Sequence, residues 1–220
     1  MAQSCEGKVA LITGASRGIG KALAIRLAAE GASLGLVSRS LDTETFGSSM
    51  RDTLAQLDAM DAKAVPVAAD LGDPSQSREA IVDAVEAELG AVDILVNNAM
   101  SSPYRLFAEF TDEEIRFAQE VNVWAPWQLT RRVLPGMRER ATGWILNMSS
   151  GSAELPSGPP YSELVGLRGT VYGGTKAMLN RWTVSLALEL MDTGIAANTL
   201  APQRATATEA VSMFVERGRL

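Results

Sequence analysis

The sequence predicts an α/β fold in which helices cover both faces of a doubly wound parallel sheet, giving three layers. Short apolar runs alternate with amphipathic segments along the chain, without internal repeats or low-complexity linkers. This alternation is typical of parallel strands joined by helical crossovers, and such sheets bind ligands outside the carboxyl ends of their strands. The length of 220 residues suits one domain with a substantial core, so residues 1–220 are expected to form a single domain.

Six strands are predicted from short apolar runs bounded by polar residues or glycine. They are Val9–Thr13, Ser33–Ser38, Ala64–Ala69, Asp93–Asn97, Trp144–Met148 and Ile195–Leu200. Helices are expected near residues 18–30, 46–60, 74–89, 111–134 and 173–192. Gly31 ends the first helix, and Asp73 with Pro74 marks the start of the third, since aspartate caps helices and proline suits their first turn.

The composition of the chain excludes several functional classes. A formal net charge of −6 gives no basic face for nucleic acid and disfavours an anionic membrane surface. The apolar runs are too short to span a bilayer, the N-terminus lacks a signal-peptide pattern, and the single cysteine suits a reducing compartment, so a cytoplasmic protein is expected. The absence of histidine removes Ser-His hydrolases, histidine bases and most zinc sites, and no metal is expected.

The first strand leads into a glycine turn of the kind that binds phosphates. Gly14, Gly18 and Gly20 follow the strand with the spacing Gly14-x3-Gly18-x-Gly20 and open the first helix. Glycines let the backbone approach a pyrophosphate, and the helix start offers N–H groups and the positive end of the helix dipole. A tight turn without a ligand would use the same glycines, but the strand before and the helix after favour a nucleotide.

The second strand ends at Ser38 and Arg39, where a dinucleotide fold recognises the adenosine ribose. An acidic residue at this place would bind both ribose hydroxyls and favour NAD. A guanidinium pairs well with a phosphate dianion, so Arg39 favours the 2′-phosphate of NADP, and Arg17 in the glycine turn is a second candidate. NAD stays open as the alternative cofactor, and either arginine could instead be a solvated surface charge.

Polar residues follow the other strands at the expected binding edge. They are Asp70, Asn97, Asn98, Ser149 and Ser150. Asp70 could instead be a loop residue or a helix cap, and the asparagines could serve turn geometry alone.

Tyr172 and Lys176 stand four residues apart at the start of a long helical segment, and therefore on one face of it. A nearby ammonium favours the phenolate, which predicts a Tyr172 pKa lowered towards neutrality. In a chain without histidine, such a tyrosine can act as acid or base. The competing Tyr161 has Val165 rather than lysine four residues on.

Taken together, these motifs resemble the short-chain dehydrogenase/reductase family in its compact single-domain form. The resemblance runs from residue 7 to residue 203 and rests on Thr13-Gly14-x3-Gly18-x-Gly20, Asp70, Asn97-Asn98-Ala99, Asn122, Ser150 and Tyr172-x-x-x-Lys176. It implies a Rossmann-type fold, a nicotinamide cofactor, a small carbonyl or alcohol substrate, and a homodimer or homotetramer. The apolar faces of the helices at 111–134 and 173–192 are candidate subunit interfaces, although core faces would give the same pattern.

The resemblance also implies a role for each catalytic candidate. Tyr172 would be the general acid in carbonyl reduction and the base in alcohol oxidation, while Lys176 would hold the nicotinamide ribose and depress the tyrosine pKa. Ser150, chosen over Ser149 and Ser152 by the family pattern Asn-x-Ser-Ser, would hydrogen-bond the substrate oxygen. Asn122 would hold a water that links Lys176 to solvent.

A larger set of residues would bind the cofactor by the same resemblance. Asp70 would contact the adenine, and Asn98 with Ala99 would line the adenosine-ribose side of the cleft. The complete expected set is Gly14, Ser16, Arg17, Gly18, Ile19, Gly20, Ser38, Arg39, Asp70, Leu71, Asn98, Ala99, Tyr172, Lys176 and Pro202.

The chain departs from the family pattern at three places. Met100 stands where the family has glycine after Asn-Asn-Ala, near the cofactor or the substrate entrance. Tyr172 follows Ser150 by 22 positions, more than is usual, and residues 153–170 are expected to form a substrate-facing lid or a tolerated insertion. After Pro202 the family's threonine falls near Thr206 or Thr208, and residues 203–220 are expected to be a shortened or incomplete substrate-covering segment.

Two functions follow from these observations. The first is an NADP-dependent oxidoreductase that interconverts a ketone or aldehyde and an alcohol. The second is a catalytically idle NAD(P)-binding sensor or scaffold of the same fold. The complete set of catalytic candidates favours the enzyme, and the short C-terminal segment favours the alternative.

Overall fold

The computed structural model describes residues 4–43, 47–158, 169–202 and 208. Its central feature is a six-stranded parallel sheet, as the sequence predicts, and the strand order is β3-β2-β1-β4-β5-β6. The strands are β1 Val9–Thr13, β2 Ser33–Ser38, β3 Ala64–Ala68, β4 Ile94–Asn97, β5 Gly143–Met148 and β6 Ile195–Leu200. The order reverses between β1 and β4, which places the ligand crevice of such a sheet at the carboxyl ends of these two strands.

Helices connect the strands. They are α1 Gly18–Ala29, α2 Met50–Asp58, α3 Arg78–Leu89, α4 Asp112–Gln119, α5 Ala125–Arg140 and α6 Thr170–Glu189. A single π-helical turn, Glu120–Trp124, joins α4 to α5. No helix in the described ranges is long and apolar enough to cross a membrane.

The core consists of two apolar clusters on opposite faces of the sheet. Alternate residues of β1 point to opposite faces, so Leu11 packs in the cluster formed with α3 and α5, and Ile12 in the cluster formed with α1 and α2. All five residues of β1 are buried, which explains why this strand reads as a continuous apolar run. The three-layer prediction is confirmed.

The expected start of the third helix at Asp73 and Pro74 is wrong. Helix α3 begins at Arg78, because the Ser77 side chain caps it by accepting a hydrogen bond from the N–H of Ala80. The carboxylate of Asp73 accepts hydrogen bonds from both the N–H and the hydroxyl of Ser75, which forms a turn before the helix instead.

Parts of two expected segments lie outside the described residues. Tyr161 and Val165 in the expected lid are among them, and so are Arg204 and Thr206 in the expected substrate-covering segment. Both ends of the expected segment 153–170 are described: Ala153 ends a short 3-10 turn, Gly151–Ala153, and Thr170 is the first residue of α6.

Candidate active site

Thr13 and Asn98 tie together the ends of β1 and β4. The Thr13 hydroxyl oxygen accepts hydrogen bonds from the N–H groups of Asn98 and Ala99, each 3.0 Å long. The Asn98 side-chain amide donates in return to the carbonyl oxygens of Thr13 and Gly14, at 2.9 and 3.1 Å. Asn98 therefore supports the turn geometry, the alternative that the sequence left open for it, and Ala99 lies against the glycine turn.

The glycine turn is packed so closely that a side chain at Gly20 would not fit. A Cβ atom at Gly20 would lie 2.2 Å from the carbonyl oxygen of Gly14 and 2.5 Å from the side-chain amide nitrogen of Asn98. Gly14 and Gly18 have positive φ angles of 68° and 56°, which favour glycine. Side chains from outside hold the turn, since Ser48 donates to the carbonyl of Ser16 at 3.0 Å.

The start of α1 suits an anionic group. Arg17 is its N-cap residue, in extended conformation, and its own side chain makes no capping hydrogen bond. The first turn holds no acidic residue that would repel a phosphate. The positive end of the helix dipole faces the glycine turn, which fits the pyrophosphate of a dinucleotide.

Arg39 lies directly after β2, as the sequence predicts, and its side chain is exposed. The neighbouring Ser38 is buried, and its hydroxyl donates to the carbonyl of Ser40 at 2.7 Å. The Arg39 guanidinium is therefore accessible to a ligand, whereas the Ser38 hydroxyl is already hydrogen-bonded within the turn.

Asp70 holds the loop that follows β3. Its carboxylate accepts a 2.8 Å hydrogen bond from the N–H of Gly72, and its own N–H donates to the side chain of Gln76. The side chain of Leu71 is buried in the core, so contact with a cofactor would use its backbone. Asp70 therefore stabilises this loop, which is the alternative role that the sequence left open for it.

Arg78 is a buried residue that the sequence reasoning missed. Its guanidinium donates to the carbonyl oxygens of Leu71, Asp73 and Gln76, and it pairs with Glu120 at 3.1 Å. It thereby connects the loop after β3 to the π-helical turn.

Tyr172 lies near the start of α6 with only 6% of its surface exposed. Its hydroxyl donates to the sulfur of Met100 at 3.4 Å, and its ring packs against Tyr104 with 6.0 Å between centroids. Burial raises the pKa of Tyr172, and the hydrogen bond with Ser150 lowers it by less. The expectation of a Tyr172 pKa lowered towards neutrality is wrong for this structure, because burial outweighs the favourable contact.

Lys176 lies one turn further along α6 and is 2% exposed. Its ammonium nitrogen donates a 2.6 Å hydrogen bond to the carbonyl of Met148 and lies 5.8 Å from the centroid of the Tyr172 ring. Burial lowers the pKa of Lys176 to about 8. The lysine therefore faces the tyrosine ring and the end of β5, which explains why it does not offset the burial of the Tyr172 hydroxyl.

The serines after β5 differ in their surroundings. The oxygen of Ser150 accepts from the N–H of Ser152 at 3.2 Å and interacts with the Tyr172 hydroxyl. The Ser149 hydroxyl is buried without a partner among the described residues. Helix α6 packs closely on this turn, because a Cβ atom at Gly173 would lie 2.4 Å from the carbonyl oxygen of Ser152.

Asn122 is fully buried in the π-helical turn. Its amide oxygen accepts from the N–H of Ser101 at 2.8 Å, and its nitrogen donates to the carbonyl of Ser101 and the hydroxyl of Thr175. Thr175 in turn donates to the carbonyl of Tyr172 at 2.8 Å. These contacts use both N–H donors of the amide, so a relay water would have to bind at other atoms.

The structure thus brings Asn122, Ser150, Tyr172 and Lys176 together at the sheet edge that carries the glycine turn. Sequence reasoning missed Thr175 and Tyr104 at this site. Thr175 stands three residues after Tyr172, so helical spacing could have indicated it. Tyr104 lies in an irregular loop, and no sequence signal pointed to its contact with Tyr172.

Comparison with known proteins agrees with this arrangement. The profile of the family described as short chain dehydrogenase matches residues 8–217. A short chain dehydrogenase of Pseudocercospora fijiensis is 38% identical over 199 residues, which cover 90% of this chain and 59% of the relative. The chain therefore spans less than two thirds of the length of that relative.

Two solved structures are also similar. A metagenomic short-chain oxidoreductase in complex with NADP matches with a TM-score of 0.80 and 30% identity, over 92% of this chain and 84% of that one. L-Sorbose reductase from Gluconobacter frateurii, complexed with NADPH and L-sorbose, matches with a TM-score of 0.78 and 33% identity, over 92% of this chain and 71% of that one. With the fold and the sequence profile in agreement, the chain belongs to the short-chain dehydrogenase family, whose members are oxidoreductases.

Proposed function

We propose that this protein is an NADP-dependent oxidoreductase that interconverts a ketone or aldehyde and an alcohol, with Tyr172 as the acid–base group. The observation that carries the proposal is the buried Tyr172 hydroxyl, which lies beside Ser150 with Lys176 one helical turn away. The three side chains meet at the sheet edge where the glycine turn can hold a dinucleotide.

Each side chain has a task that follows from its surroundings. A bound nicotinamide supplies the hydride in reduction and accepts it in oxidation. Tyr172, whose pKa is raised, stays protonated at neutral pH and can donate its proton to the substrate oxygen. The Ser150 hydroxyl donates to the same oxygen and stabilises the negative charge that develops there.

The cofactor-binding residues of the proposal surround the ends of β1, β2 and β4. The pyrophosphate binds at the glycine turn, at Gly14, Ser16, Arg17, Gly18, Ile19 and Gly20. Arg39 binds the 2′-phosphate, Asn98 and Ala99 line the adenosine side, and Lys176 holds the nicotinamide ribose. The exposure of Arg39 and the absence of acidic residues from the first turn of α1 support this assignment, as do relatives solved with NADP and NADPH.

We further propose a cytoplasmic homodimer or homotetramer that uses the outer faces of α5 and α6. Trp127 and Met178 on these helices are exposed, and so is Trp124 in the preceding turn. Exposed large apolar side chains on neighbouring elements are typical of subunit interfaces. Light scattering on the purified protein measures the mass, and a monomer at micromolar concentration would contradict this part.

Cofactor titration followed by a substrate screen tests the proposed activity. Quenching or enhancement of NADPH and NADH fluorescence gives both affinities, and a panel of ketones, aldehydes and secondary alcohols is then assayed. Tighter binding of NADPH together with turnover of a carbonyl compound supports the proposal. Binding without turnover of any member of the panel favours the idle sensor or scaffold instead.

A further inference from the structure

Met100 contacts both the acid–base hydroxyl and the solvent. The residue is 56% exposed, yet its sulfur accepts the hydrogen bond from the buried Tyr172 hydroxyl at 3.4 Å. A substrate oxygen that accepts this hydrogen bond therefore has to displace the thioether.

The backbone on both sides of Met100 is fixed. The N–H of Ala99 donates to the Thr13 hydroxyl at 3.0 Å. The N–H and carbonyl of Ser101 bond to the Asn122 amide at 2.8 and 2.7 Å. Because both neighbours are anchored to buried side chains, the fold fixes the backbone position from which the Met100 side chain extends.

Tyr104 is a second residue that packs against Tyr172. Its ring is tilted by 50° against that of Tyr172, and it is 53% exposed. It also reaches the start of α6, since a Cβ atom at Gly169 would lie 3.8 Å from its ring. Met100 and Tyr104 thus present an uncharged, polarisable surface next to the Tyr172 hydroxyl.

The chemistry of a thioether explains what this surface can do. Sulfur in methionine accepts weakly and donates nothing, so it can hold the hydroxyl only in its protonated form. A carbonyl oxygen is a stronger acceptor and can take over this hydrogen bond. Methionine and tyrosine also both make favourable contacts with aromatic rings.

We propose that Met100 is a positioning and specificity-determining residue, which holds the Tyr172 hydroxyl as a donor and, with Tyr104, selects substrates that carry an aryl group on the reacting carbon. This inference rests on the proposed function, which it deepens by naming a substrate class. Among the residues that the structure describes, the titratable groups that face Tyr172 are Tyr104 from the loop after β4 and Lys176 from α6; Ser150 from the turn after β5 is uncharged.

The ionisation of Tyr172 tests the positioning role without requiring turnover. The chain has three tyrosines, so biosynthetic labelling with 3-fluorotyrosine gives three ¹⁹F resonances, and Tyr172→Phe assigns the relevant one. Fluorine lowers the intrinsic phenol pKa, which moves the titration to lower pH. Met100→Leu keeps the side-chain volume and removes the hydrogen-bond acceptor, whereas Met100→Gly removes both the side-chain volume and the acceptor. The matched control is Met60→Leu, in a distant exposed turn.

Loss of the acceptor should destabilise the protonated phenol. We expect the Tyr172 titration to move down by about half a pH unit in Met100→Leu and by about one unit in Met100→Gly, which also admits water. Met60→Leu should titrate like the wild type. Identical titrations of the wild type and both Met100 variants would overturn the positioning role.

Steady-state kinetics with the holoenzyme test the specificity role. Acetophenone and 2-butanone serve as the aryl and alkyl probes. Met100→Gly should raise KM for acetophenone about fivefold, from lost apolar contact, while kcat changes less than about twofold and the alkyl KM stays constant. An unchanged acetophenone KM, or equal changes for both probes, would overturn the selection. Absence of turnover by the wild type on the full substrate panel contradicts the proposed function, whereas the ¹⁹F titration still decides the role of Met100.

Discussion

The ammonium nitrogen of Lys176 donates a 2.6 Å hydrogen bond to the main-chain carbonyl of Met148. Met148 is the last residue of β5, so this contact links α6 to the strand end that continues into Ser150. Among the described residues no carboxylate pairs with the lysine, and burial lowers its pKa to about 8. The position of Lys176 therefore carries an electrostatic cost that depends on pH.

This cost predicts a rise in stability at alkaline pH. Between about pH 8 and pH 10.5 the unfolded chain holds a proton on Lys176 that the folded chain has lost, so the free energy of unfolding rises with pH. Relative to Lys176→Met, wild-type stability should increase by about 2 kcal/mol across most of this window. Urea unfolding of both proteins measures the difference, in which the other titrating groups cancel. A difference that stays constant with pH would contradict the low lysine pKa.

The exposed guanidinium after β2 predicts the cofactor preference. Arg39→Asp should weaken NADPH binding about tenfold or more, because a charge-assisted contact to the 2′-phosphate becomes a repulsion, while NADH affinity is kept or improved. Arg26→Asp, an equal charge change at an exposed position in the last turn of α1, serves as the control. Fluorescence titration gives both dissociation constants. An unchanged ratio of NADPH to NADH affinity in Arg39→Asp would refute the phosphate-binding role.

The Thr13 hydroxyl should be important for both stability and cofactor binding. In Thr13→Val, of nearly equal size, the N–H groups of Asn98 and Ala99 lose their acceptor, which should cost about 2 kcal/mol. Thr13→Ser keeps the hydroxyl and should lose much less. Equal urea-unfolding curves for the valine and serine variants would show that this contact contributes nothing.

Two adjacent glycines in α6 allow a matched comparison. Gly173→Ala introduces a Cβ atom against the Ser152 carbonyl and should push the Ser150 turn away from Tyr172, lowering both stability and kcat. The Cβ atom of Gly174→Ala would meet no described atom within 4 Å, so this variant should stabilise the helix by up to about 1 kcal/mol. Thermal unfolding and turnover distinguish the two. Similar behaviour of both alanine variants would contradict the close packing of α6 on the serine turn.

Much of the fold could be predicted because the strand signal is local. The strand β1 is buried along its whole length, so its apolar run and the glycines that follow were sufficient to place the first strand and the start of α1. The start of α3 could not be placed in this way. Asp73, Ser75 and Ser77 are all capping residues, and the sequence does not specify which one accepts from a helical N–H.

The residues that form the site were easier to predict than their pKa values and contacts. Helical spacing correctly put Tyr172 and Lys176 on one face, but the pKa of each depends on burial and on which atoms they contact. The contact of Tyr104 with Tyr172 depends on the path of an irregular loop, and a residue pattern does not encode that path.

Proton transfer by Tyr172 is tested most directly by the Tyr172→Phe variant. Phenylalanine keeps the ring that packs against Tyr104 and removes only the hydroxyl, so the fold and the glycine turn should be unaffected. We expect kcat to fall by about a hundredfold or more, because a general acid is lost, while the NADPH dissociation constant stays within about twofold of the wild type. Carbonyl reduction by Tyr172→Phe at the wild-type rate would show that this hydroxyl does not transfer the proton.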